Sequence, residues 1–208
     1  MANLKHAIKQ GIVALKAKNI QPVMQTVGDE CLLKGKTALV VGGSGGIGKA
    51  VAKAFLKNGA NVVIAGTRRA KVDKVVLELG EKCAGVVVDL AEPETFSKVI
   101  DEAVAFYGPI DILVNSAGVH TEDVSMGGFL DFSVEEYDRI LDINLRGVYF
   151  MVQSVAKRMI SDKVSNGHIL IVSSSAGNEP AWSPYRVSKW GLKGITEGMA
   201  SASFLMAL

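Results

Sequence analysis

The sequence predicts an α/β protein built on a doubly wound parallel sheet with helices on both faces. Three observations carry that expectation. From Gly35 onward, short runs rich in β-branched residues alternate with amphipathic helical stretches. The runs are continuously apolar, as in strands covered on both faces. The first of them, Thr37 to Val41, ends in a glycine-rich loop that opens straight into a helix.

The elements follow in order. Residues 1–34 read as an N-terminal amphipathic helical extension. Leu4, Ile8, Ile12 and Leu15 fall three or four apart beside Lys5, Lys9, Lys16 and Lys18, and Pro22 breaks the pattern. The stretch has no Arg or Ser and lacks the cleavage pattern of a secretory signal, so a helix packed outside the domain or on a partner subunit is expected. Residues 35–208 form the α/β domain. Its strands are expected at Thr37–Val41, Asn61–Ala65, Gly85–Val88, Ile110–Val114 and His168–Val172. Its helices are expected at Lys49–Leu56, Ala70–Leu79, Pro93–Tyr107, Val134–Met159 with Gly147 inside it, and from Tyr185 to about Met199. The longest irregular segment, Val119 to Ser133, is long enough to suggest a working loop.

Composition narrows the class. The chain has 208 residues, 49% hydrophobic and 21% charged, enough for a sizeable core. A net charge of +2 gives no case for nucleic acid or an anionic membrane surface. Cys31 and Cys83 are the only cysteines and form no metal-ligand spacing, so no metal is expected and a reducing cytoplasm suits the chain. No apolar run approaches the length of a membrane span.

The glycine loop alone leaves three readings open. Gly43, Gly45 and Gly48 fit G-x-G-x-x-G, which asks for an acid about 20 residues later, where Arg68 and Arg69 stand. Gly43 to Lys49 nearly fits a P-loop, but Ala50 replaces the hydroxyl residue that would hold Mg²⁺. Gly42, Gly46 and Gly48 fit G-x-x-x-G-x-G, a different dinucleotide loop. In each case free N–H groups and a helix N-terminus converge on one point, which attracts phosphate.

Polar residues recur where the strands end. They are Gly66-Thr67-Arg68, Asp89-Leu90, Asn115-Ser116-Ala117-Gly118 and Ser173-Ser174-Ser175. In a doubly wound sheet the ligand crevice lies at those ends. On the last helix, Tyr185 and Lys189 stand four apart, hence on one face. An ammonium beside a tyrosine hydroxyl favours the phenolate and so suits proton transfer near neutral pH.

In combination, Gly42-x-x-x-Gly46-x-Gly48, Asp89, Asn115-Ser-Ala-Gly118, Asn144, Ser174 and Tyr185-x-x-x-Lys189 resemble the short-chain dehydrogenases/reductases. The resemblance spans about residues 35 to 200 and includes the run Phe106 to Gly118. It implies a Rossmann-like fold and reversible hydride transfer between NAD(P) and an alcohol/carbonyl pair. Tyr185 would be the general acid/base, and Lys189 would support it and hold the nicotinamide ribose. Ser174 would bond the substrate oxygen and Asn144 a relay water. The cofactor would lie on Gly42, Ser44, Gly46, Ile47, Gly48, Thr67, Arg68, Asp89, Leu90, Asn115, Ala117 and Gly118, besides Tyr185 and Lys189. Gly43 and Gly45 then become loop filler, and Lys49 an ordinary helix residue. Gly66 in the acid position, with Arg68-Arg69 after it, favours NADP, with NAD possible.

The chain departs from the family's pattern in several places. Val41 stands where a Thr is usual, and the step from Ser174 to Tyr185 is short. After Glu197 the sequence is uncharged and carries none of the family's later strand or Asn…Pro-Gly segment. The expected protein is therefore a C-terminally truncated form that lacks its last strand or strands. Its fifth strand would be an exposed edge, with poor stability or activity. The alternative function is an impaired nucleotide-binding protein of the same fold. The expected partners are a small alcohol or ketone and, at full length, a homo-oligomer. His120 and Trp182 are candidates to line the substrate pocket.

Overall fold

Thr37–Val41 (β1), Asn61–Gly66 (β2), Cys83–Val87 (β3), Ile112–Asn115 (β4) and His168–Ile171 (β5) pair in one parallel sheet. Its order is β3-β2-β1-β4-β5, in a computed structural model that describes residues 32–121 and 129–206. The expected N-terminal helix, Cys31, and Glu122, Asp123, Gly127 and Gly128 of the long loop lie outside the described residues.

The register aligns Val41 with Ala65 on one side and Asn115 on the other, so the strand ends come out level. The chain winds outward from β1 in both directions. The crevice between β1 and β4 is thus the place where the strand order reverses.

Alternate residues of each strand feed two cores. Ala38, Val40, Val62 and Ile64 pack under Gly46–Lys57 (α1) and Arg69–Leu79 (α2). Leu39, Val41, Val63 and Leu113 face the other way, toward Phe96–Tyr107 (α3), Val148–Ser161 (α5) and Pro184–Met206 (α6). Period-two side-chain alternation with both faces covered explains why the strands read as unbroken apolar runs. Phe96 is fully buried in the second core, and its truncation to Ala would cost about 3–5 kcal/mol.

Several boundaries differ from expectation. β3 begins two residues early because Cys83 pairs with Val62. β4 starts at Ile112 rather than Ile110. The Asp111 carboxylate before it accepts from the Thr37 N–H at 2.9 Å and from Lys36 Nζ at 2.7 Å, which ties the start of β4 to β1. The long helical region is interrupted. Val134–Leu141 (α4) starts on the Ser133 cap, whose Oγ accepts from Glu136 N. It then passes into a π segment, Asp142–Gly147, before α5. Gly147 closes that segment because a Cβ there would lie 2.1 Å from the Leu90 carbonyl. β5 is one of the sheet's two edges, opposite β3, and its Leu170 is 48% exposed.

Candidate active site

The crevice at the carboxyl ends of β1, β2, β3 and β4 holds about 250 Å³. Its lining includes Gly42, Ser44, Thr67, Asp89, Leu90, Ala117 and Gly118, all expected from the sequence. Asn115 lies behind it, fully buried, with its Oδ1 lacking a partner among the described residues. Ile47 is 60% exposed and lies outside the lining, as do Gly46, Gly48 and Arg68. Sequence reasoning missed Lys71 and Ile143, which also line the crevice. Lys71 had a legible signal: it stands one helical turn after Arg68, on the same side of α2.

The glycine loop is shaped by contacts that a Cβ would break. Gly42 has φ +79°, and a Cβ on it would lie 2.6 Å from Ala117 N. A Cβ on Gly48 would lie 2.4 Å from the Gly42 carbonyl. Gly43 is no filler, which corrects the expectation: it packs where a Cβ would come 2.6 Å from the Ile64 Cβ. Gly46 has nothing within 4 Å, so its face is open. The N–H groups of Ser44, Gly46, Ile47 and Gly48 have no acceptor among the described residues. The first turn of α1 carries no acid. A bare helix N-terminus with open space over Gly46 fits the pyrophosphate of a dinucleotide. Lys49 turns away and pairs with Glu78, which removes the P-loop reading. Where the expected loop threonine is replaced by Val41, Ser116 makes the link. Its N–H and its hydroxyl both donate to the Val41 carbonyl at 2.9 Å.

A second pocket of about 260 Å³ adjoins β5 and the start of α6. Ser174 and Tyr185 both line it, with His120, Trp182 and Arg186. α6 begins at Pro184, a favourable first position, after Ser183, whose Oγ accepts from Arg186 N at 3.3 Å. Ser174 Oγ accepts from Ala176 N at 3.2 Å and keeps its own proton free. Ser173 Oγ instead turns to the Lys189 carbonyl at 3.5 Å. His120 stacks on Tyr185 with ring centres 4.0 Å apart.

Lys189 approaches residues of both cavities, Gly118 of the crevice and Tyr185 of the second pocket. It is 5% exposed, its ammonium lies 5.4 Å from the Tyr185 ring centre, and its protein acceptor is the Val172 carbonyl at 3.5 Å. A Cβ on Gly118 would lie 3.7 Å from it. Burial holds Lys189 below the usual lysine pKa. Asn144, fully buried in the π segment, spends its amide on Val119. Its Oδ1 accepts from Val119 N and its Nδ2 donates to Val119 O, both at 2.8 Å. Nδ2 also reaches Ser188 Oγ at 3.3 Å, which ties the β4 loop to α6.

Among the described residues no helix is long and apolar enough to cross a membrane, and no His/Cys/Asp/Glu group of three or more could hold a metal. The family model for short chain dehydrogenase matches residues 36–203. Oxidoreductase UcpA of Escherichia coli (strain K12) is 36% identical over 174 residues, 81% of this chain and 64% of UcpA. Dehydrogenase/reductase SDR family member 4 of Homo sapiens is 35% identical over 173 residues, 81% of this chain and 60% of that protein. The chain thus spans less than two thirds of the length of these relatives. A crystal structure described as a short chain dehydrogenase from Escherichia coli CFT073 superposes with a TM-score of 0.76 at 21% identity. It covers 85% of this chain and 78% of that one, and shows the same fold. Sequence and fold agree along one continuous stretch, and this chain belongs to the short-chain dehydrogenase family.

Proposed function

We propose that the chain carries the site of an NADP-linked oxidoreductase acting on a small alcohol/carbonyl pair. The observation that supports this best is the buried Lys189 ammonium, which lies 5.4 Å from the ring centre of Tyr185 in the second pocket and 3.7 Å from where a Cβ on Gly118 of the crevice would be. The crevice residues would hold the dinucleotide, with its pyrophosphate on the N–H groups of Ser44, Gly46, Ile47 and Gly48. A dinucleotide held there would supply hydride exchange with the substrate carbon, one oxidised as the other is reduced.

The chain's own groups do the rest. Tyr185 gives its hydroxyl proton to the carbonyl oxygen in reduction and takes it back in oxidation. Ser174 donates its free O–H to the same oxygen. Lys189 places positive charge 5.4 Å from the Tyr185 ring centre and has donors left for a ribose hydroxyl. Asn144 fixes the Val119 backbone and retains an Oδ1 lone pair for a relay water.

NADP is favoured by charge at the end of β2. Lys71 lines the crevice there and Arg68 is exposed beside it. A Cβ at Gly66 would lie 2.7 Å from Ser44 Oγ, so an acid there would displace a side chain of the glycine loop. The relatives named as oxidoreductases favour this reading over a nucleotide-binding protein without catalysis. A buried thiol at Cys83 agrees with the reducing cytoplasm expected from cysteine usage. At full length a homo-oligomer is the expected assembly, read by sedimentation velocity.

Tyr185→Phe tests the reading. Turnover should fall about 10³-fold while the NADP dissociation constant changes less than about threefold. Unchanged turnover, or loss of binding together with turnover, would refute it.

A further inference from the structure

The pocket beside Tyr185 holds one acceptor that the proposed proton transfer does not use. His120 Nδ1 lies 3.0 Å from the Thr121 carbonyl, which can only accept. Nδ1 therefore carries the proton in the neutral ring, and Nε2 is left with a lone pair. Nε2 has no partner among the described residues. The ring stacks on Tyr185 with centres 4.0 Å apart and planes 33° apart, and Arg139 ties down the backbone by donating to the His120 carbonyl at 3.4 Å.

The other polar side chains of this pocket already have contacts: Thr121 Oγ1 lies 3.3 Å from His120 Nδ1, and Ser183 Oγ accepts from Arg186 N. The Arg186 guanidinium pairs with Glu179 at 2.6 Å and lies over Trp182. The Ser174 and Tyr185 hydroxyls are donors, and both serve the reacting oxygen. What the pocket asks of the rest of the substrate is a donor. Arg186 and buried Lys189 make an ammonium unwelcome there, so the donor is a neutral hydroxyl. With ring centres 4.0 Å apart, His120 and Tyr185 share one short stretch of the pocket, so a donor that meets His120 sits on a carbon near the reacting one.

We infer that His120 determines specificity, accepting a hydrogen bond from a hydroxyl on the carbon next to the reacting one, so that the pocket selects α-hydroxy ketones and vicinal diols. The chemistry rests on the oxidoreductase reading above, but the recognition can be read without turnover.

The test compares acetoin with butanone, which share a carbon skeleton, on the full chain with NADP present. Long-range proton–nitrogen NMR should show His120 as the Nδ1–H tautomer, and acetoin but not butanone should shift Nε2. His120→Phe keeps a stacking ring and identifies the His120 signals by their loss. It should lower the acetoin/butanone ratio of kcat/KM by about tenfold. An Nε2–H tautomer, equal shifts from both ketones, or an unchanged ratio would overturn the assignment. If acetoin moves Nε2 and the wild-type chain turns over neither ketone, the oxidoreductase reading fails and the His120 assignment stands.

Discussion

The Lys189 ammonium is buried 5.4 Å from the centre of the Tyr185 ring, with the Val172 carbonyl at 3.5 Å as its protein acceptor. A charge with so few partners costs stability, and its retention fits a role in the site rather than in the fold.

Lys189→Met should therefore separate the two. Burial lowers the folded-state pKa of Lys189 below 10.5. The wild-type chain gains stability as pH rises from that lowered value to 10.5, and loses the gain on returning toward neutrality. The variant lacks this rise and should melt at an equal or higher temperature at pH 7. Its turnover should fall by about 10²-fold or more. Thermal melts across pH and a turnover assay check both, and a clearly lower melting temperature would contradict the assignment.

Gly42 and Gly46 should respond differently to alanine. At Gly42 the backbone is left-handed and a Cβ would meet Ala117 N at 2.6 Å, so Gly42→Ala should cost about 2–4 kcal/mol. At Gly46 nothing lies within 4 Å, and alanine improves a helix position by up to about 1 kcal/mol. Gly46→Ala should hold or raise stability and still weaken NADP binding, because its methyl occupies the face proposed for phosphate. Urea denaturation and nucleotide titration of both variants test the contrast.

Cys83 gives a prediction in the alkaline range. Burial pushes its thiol from 9.0 up to about 11. Its contribution to stability is complete below pH 9, where both states are protonated. It is lost as pH rises from 9 to 11, where the unfolded thiol ionises first. Cys83→Ala should lower stability by a constant offset and flatten this part of the pH profile. In a Cys31→Ser background, native Cys83 should react with maleimide far more slowly at pH 8 than the unfolded chain does. Equal rates would contradict its burial.

What the sequence showed plainly was local. The apolar run Thr37–Val41, the turn at Gly42 and the i, i+4 spacing of Tyr185 and Lys189 each follow from neighbouring residues. What it hid depends on contacts across the chain. Gly43 looked like filler because its reason is Ile64, on the next strand. The π segment that presents Asn144 has no composition of its own. It is fixed by the Leu90 carbonyl against Gly147 and by Val119 against Asn144. Ser116 entered only as one of the residues after the fourth strand, whereas in space it supplies the link across β1 and β4.

Lys71 bears on the choice of dinucleotide. It lines the crevice from the first turn of α2, where Thr67 and Gly66 end β2, and it has no acidic partner among the described residues. Arg69, by contrast, is drawn to Asp73 at 3.7 Å and to the Gly85 carbonyl at 3.4 Å. A ribose phosphate placed at the end of β2 would meet Lys71, with Arg68 as the second exposed cation. Lys71→Ala should therefore weaken NADP by about tenfold and leave NAD within about twofold, a difference set by one charge-assisted contact. The double variant Arg68→Ala/Lys71→Ala should bring the two dinucleotides close to equal affinity. Calorimetric titration of both cofactors reads this directly. Equal losses for NAD and NADP would mean that Lys71 supports the loop rather than the phosphate, and the preference would then have to come from elsewhere in the crevice.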